Sequence, residues 1–214
     1  ETDEKVHLKL RKVIGKKLFK KVSGSRFMSM WNLMIKWCSS DGKQVRVGLL
    51  LLAVCVEYCP EAFADLFDSL QQVVGVHIDS ENYKVKIAAT ELHRQIVKAY
   101  QETQDDQKTF NLTLLSADKL IDLVNSRETT KTGCELLHWY LSEYFELFGP
   151  TEEDLINISD TMLKTVVTYH AMYKEASESL YLALSYFNSQ SDINGFFDSN
   201  KDTPLMIATK NLNQ

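Results

Sequence analysis

Apolar residues recur at intervals of three and four along almost the whole chain of 214 residues, and this spacing favours a helical fold. Only three prolines and eight glycines interrupt the pattern, which is too few turn-forming residues for a many-stranded β-sandwich. The strict alternation that marks half-buried strands is absent. We therefore expect an all-α architecture in which short turns join antiparallel neighbouring helices.

The predicted helices form pairs that begin near residues 4, 43, 79, 116 and 151, a repeat of about 35 to 39 residues. Such a period is typical of a helical-hairpin solenoid, because each pair covers the apolar face of its neighbour. Residues 79–92 (DSENYKVKIAATEL) begin with Asp, continue with Val-Lys and small residues, and end with Leu. In this order of residue types they resemble the second helix of a HEAT repeat.

The resemblance to the HEAT/armadillo superfamily implies an all-α, right-handed solenoid of about five antiparallel helix hairpins. It also implies a non-catalytic scaffold that mediates protein–protein interaction along one ridge. We expect the helical-repeat domain to cover residues 1–190, and a polar segment with a short terminal helix to cover residues 191–214. A domain of five hairpins is also similar in size to a TOG domain, the tubulin-binding member of the superfamily. Tubulin is therefore an alternative partner, bound through the turns at residues 23–26 and 39–43.

The net charge of −5 hides an uneven distribution of charge along the chain. Residues 1–46 contain twelve Lys or Arg and four Asp or Glu, which gives +8, whereas the remainder carries −13. A basic segment of this kind attracts an acidic partner. We expect the following residues to bind that partner: Lys9, Arg11, Lys12, Lys16, Lys17, Lys20, Arg26, Lys43 and Arg46.

Several anionic surfaces fit this basic set. Lys9, Lys12, Lys16 and Lys20 recur at steps of three and four and so share one face of the first predicted helix. That face would accept an acidic or phosphorylated protein segment, nucleic-acid phosphates or an anionic membrane surface. It would equally pair with the acidic remainder of the same chain. A protein-binding scaffold is the main expectation, and a nucleic-acid-binding helical module is the alternative.

No sequence motif indicates catalysis or a bound cofactor. Glycine-rich phosphate loops, the zinc motif His-Glu-x-x-His and the hydrolase motif Gly-x-Ser-x-Gly are all absent from the sequence. The five histidines are scattered singly, and the spacing of the four cysteines matches no zinc template. We therefore expect no enzyme activity, no cofactor and no metal site.

The cysteines also indicate a cellular compartment. Cys55 lies inside the apolar run Val47 to Val56, and Cys59 follows one helical turn later. Buried free thiols are typical of a reducing environment, so we expect an intracellular protein, cytoplasmic or nuclear. No apolar run reaches the roughly 18 to 20 residues that a membrane-spanning helix needs, and we expect no such span.

Overall fold

The computed structural model describes residues 24–40, 42–103, 112–143, 145, 149–169 and 173–186. Every regular element among these residues is helical, with eight α-helices and two 3₁₀ segments. The prediction of an all-α fold is therefore confirmed. The predicted terminal segment, residues 191–214, lies outside the described residues.

The chain divides into two compact units, Glu1–Leu114 and Leu115–Gln214. We refer to them as the first and the second unit and describe each by itself. Residues 101–108 are highly polar, which is typical of a linker, and they lie near the boundary between the units. Residues 104–111 are outside the described part of the chain. The extent of one repeat domain over residues 1–190 stays a prediction.

The described part of the first unit contains four α-helices and a 3₁₀ segment. In chain order they are α1 (Gly24–Cys38), α2 (Lys43–Tyr58), the 3₁₀ segment (Pro60–Leu66), α3 (Phe67–His77) and α4 (Tyr83–Thr103). Gly42 precedes α2 with a φ of 66°, a backbone conformation that glycine adopts without steric cost. The polar turn expected near residue 40 thus depends on this glycine.

Helix α2 is the centre of the first unit. Its sequence is apolar nearly all round, which predicts a helix covered on several sides. Continuous burial from Leu52 to Val56 confirms that prediction. Helix α1 packs on one part of α2, and α4 makes the most extensive contact with it. Val85, Leu92 and Ile96 are among the α4 residues that complete this core.

The pairing of helices in the first unit differs from the prediction. Residues 43–58 were expected to form a hairpin with the segment that follows them, but α2 pairs mainly with α1 and α4. Pro60 begins a 3₁₀ segment rather than an α-helix, and the chain bends by 117° between α2 and Pro60–His77. Because of this bend, α3 packs on α4 instead of returning along α2.

Within the described residues, no single helix is long and apolar enough to cross a membrane. Only α2 combined with Pro60–His77 reaches that length and apolarity, across the 117° bend.

The described part of the second unit consists of two stacked helix pairs. In chain order its helices are α5 (Ala117–Asn125), α6 (Thr130–Glu143), α7 (Glu152–Thr168) and α8 (Tyr173–Ser185). Helix α5 packs on α6 and α7 packs on α8, while α5 also contacts α7 and α6 also contacts α8. Helices in equivalent positions of the two pairs are therefore neighbours.

Local hydrogen bonds fix where the helices of the second unit begin. The Thr151 hydroxyl accepts a hydrogen bond from the Asp154 amide at 3.1 Å, and the Asp154 carboxylate accepts one from the Thr151 amide at 2.8 Å. The sequence run from Thr151 to Asp154 resembles a capping box, with Asp in place of the usual Glu or Gln, and the structure forms that box at the start of α7. Ser116 caps α5 by accepting a hydrogen bond from the Lys119 amide at 3.4 Å.

Candidate functional site

The structure places only part of the predicted basic set. Lys9, Arg11, Lys12, Lys16, Lys17 and Lys20 lie outside the described residues. Arg26 belongs to the first turn of α1. Lys43 and Arg46 both lie in the first turn of α2, with Lys43 exposed and Arg46 half-buried. No acidic residue lies in that turn, and no side chain caps it, so this end of α2 is positively charged.

A groove of about 550 Å³ lies between α1 and α3 in the first unit. Its apolar lining comes from Trp31, Ile35 and Cys38 on α1 and from Val73 and Val76 on α3. Its polar lining consists of Ser39, Ser40, Ser69, Gln72 and His77. A volume of this size is within the range of clefts that bind a ligand or a partner side chain.

Two contacts define the ends of the groove. At one end, the Phe63 ring meets the Phe27 ring at a centroid distance of 5.1 Å and the Trp31 ring at 6.1 Å. At the other end, His77 Nε2 lies 2.9 Å from the Cys38 carbonyl oxygen. Because α1 and Pro60–His77 meet at both their first and their last turns, they run in the same direction. The groove is the space that opens between these two contacts.

The hydrogen bond at the His77 end has a structural role. The last carbonyl groups of an α-helix have no partner within the helix. The Ser39 hydroxyl donates to the Ile35 carbonyl at 3.0 Å, and the Ser40 hydroxyl donates to the Trp37 carbonyl at 2.6 Å. His77 Nε2 donates to the Cys38 carbonyl in the tautomer that carries its proton there. These side chains therefore satisfy the end of α1.

Cysteine, serine and histidine in one groove are the residue types of nucleophilic catalysis, which requires a nucleophile activated by a nearby base. Here, however, burial raises the pKa of the Cys38 thiol to about 12, so the reactive thiolate is disfavoured. The hydroxyl groups of Ser39 and Ser40 already donate to carbonyl groups of α1. The two serine hydroxyls therefore serve the end of α1.

Several charged residues adjoin the lining of the groove in the sequence. Lys36 follows Ile35 in the last turn of α1, and Lys43 begins α2 three residues after Ser40. Asp68 precedes Ser69 in α3, but burial and the nearby Asp68 carboxylate raise the pKa of Tyr100, so Asp68 lies toward α4.

The groove was not predicted from the sequence. Helical spacing in the sequence predicts one apolar stripe after Pro60, formed by Phe63, Leu66, Phe67 and Leu70, and it does not include Val73 and Val76. Val76 is 75% exposed, the largest value among the exposed apolar side chains of the described residues. This second apolar stripe on α3 is the sequence signal that indicates a further contact surface.

His93 is a buried ionisable residue of the first unit that lies away from the groove. His93 of α4 is fully buried, and burial lowers its pKa from 6.5 to about 3. The imidazole is therefore neutral at physiological pH. Its position in the core identifies it as a structural residue rather than a surface ligand.

Within the described residues, no group of three or more His, Cys, Asp or Glu side chains is arranged to hold a metal ion. No known family model matches the chain, and comparison with curated proteins and with solved structures gives no significant match.

Proposed function

We propose that this chain is a non-catalytic helical scaffold that binds partner proteins, built as a right-handed, HEAT/armadillo-like solenoid of stacked hairpins. The stacking of α5 on α7 and of α6 on α8 supports the proposal. A solenoid requires this pattern, because each hairpin must cover the apolar face of the next.

The observation that carries the binding function is the groove between α1 and α3. It exposes Val76 and Ile35 beside polar side chains, and apolar surface rimmed by polar residues is typical of interaction sites. The hydrogen bonds of Ser39 and Ser40 at one end hold the adjoining turn in place. A rigid, partly apolar surface of this kind suits recognition of another protein.

The partner of the scaffold is an acidic or phosphorylated protein segment. Lys43 and Arg46 supply positive charge at the uncapped end of α2, and the basic residues of the N-terminal segment extend the same charge in the sequence. Cys38, Cys55 and Cys134 are free thiols, which are typical of a reducing environment. The proposal therefore places the chain and its partner inside the cell.

The experiment is a cross-linked pull-down from native extract with three forms of the full chain: wild type, a Lys43→Glu/Arg46→Glu variant, and a Lys131→Glu/Lys174→Glu variant. The last two carry the same change in net charge, and Lys131 and Lys174 are exposed residues of the second unit. We expect the first variant to lose a protein that the wild type and the control retain.

The same experiment separates the alternatives. Loss of all retained proteins after nuclease treatment would favour the nucleic-acid-binding module. Saturable binding of purified tubulin, lost in the Lys43→Glu/Arg46→Glu variant, would favour the TOG-like function. Identical sets of retained proteins for all three forms would contradict the proposal.

A further inference from the structure

We draw no further inference here: the strongest candidate, the apolar groove between α1 and α3 in the first unit, carries none because nothing among the described residues shows what covers it.

Discussion

Replacement of Gly133 by alanine perturbs a close contact between α5 and α6 in the second unit. Gly133 lies on α6, where it faces the last turns of α5. A Cβ atom at this position would lie 2.6 Å from the Val124 amide nitrogen, 2.8 Å from the Leu123 carbonyl carbon and 2.9 Å from Val124 Cγ2. Two of these three atoms belong to the main chain, so no rotation of a side chain relieves the overlap.

The expected cost follows from these distances. Ordinary van der Waals contact begins at about 3.4 Å, so α5 and α6 must separate by roughly 0.8 Å at Val124. A displacement of this size forfeits about a quarter to a half of the dispersion energy of the atoms involved. Overpacking of a core typically costs about 1 to 3 kcal/mol. Because main-chain atoms are involved, we take the upper part of that range and subtract about 1 kcal/mol for the better helix propensity of alanine. The net destabilisation is then about 2 kcal/mol.

Gly75→Ala provides a matched control, because Gly75 also lies within a helix, α3. A Cβ atom there would meet only Leu114 Cδ2, at an ordinary contact distance of 3.5 Å. Alanine should therefore stabilise the first unit by about 0.5 to 1 kcal/mol, since it reduces the conformational entropy of the unfolded chain. The two substitutions make the same chemical change and should have effects of opposite sign.

Hydrogen exchange followed by mass spectrometry measures both effects, because its peptides report the opening free energy of each unit separately. We expect peptides from α5 and α6 to lose about 2 kcal/mol in Gly133→Ala, while peptides from α4 stay within about 0.5 kcal/mol. If Gly133→Ala left α5 and α6 as stable as in the wild type, the close packing deduced at this position would be incorrect.

Three further predictions concern single side chains. The unfolded chain binds a proton at His93 below pH 6.5, whereas the folded chain does not bind it until about pH 3. The free energy of unfolding should therefore fall by up to about 1.4 kcal/mol per pH unit as the pH is lowered below 6.5. Urea titrations between pH 6.5 and 5 should show this slope in the wild type and not in His93→Gln; an equal slope in both would contradict the assignment. Thr151→Ala removes the cap of α7 and should cost about 1 kcal/mol of unfolding free energy in urea titrations, and a loss near zero would contradict the capping role. Burial raises the pKa of the Cys55 and Cys134 thiols to about 12. Iodoacetamide at pH 8 should therefore modify the half-buried Cys59 first. Mass spectrometry that showed Cys134 modified as fast as Cys59 would contradict this order.

Local features of the fold were predictable wherever the determining atoms are close in sequence. The capping box of α7 involves Thr151 and Asp154, three residues apart, and the structure has it where the sequence predicts it. The central position of α2 followed from its apolar composition, since a helix without a polar face must be covered on several sides. In both cases the physical cause lies within one helix.

The candidate site was less accessible to sequence analysis. The groove depends on two contacts between residues far apart in the chain, Trp31 with Phe63 and His77 with Cys38. His77 and Cys38 are 39 residues apart, and no periodicity indicates that the ends of α1 and α3 meet. Charge indicated Lys43 and Arg46 as binding residues, but it gave no indication of the apolar surface near them. Whether Lys43 and Arg46 bind a partner stays a prediction.

The amino-acid sequence by itself determined that the chain is helical and where most of its described helices begin, because periodicity and caps act over three or four residues. Tertiary structure alone decided that α2 packs between α1 and α4, that His93 is buried, and that a groove opens between α1 and α3. The position of α3 relative to α1 follows the 3₁₀ segment that begins at Pro60 and the bend of 117° between α2 and Pro60–His77. A change of direction at one turn alters contacts tens of residues away. The angle of such a turn does not follow from the spacing of apolar residues beside it.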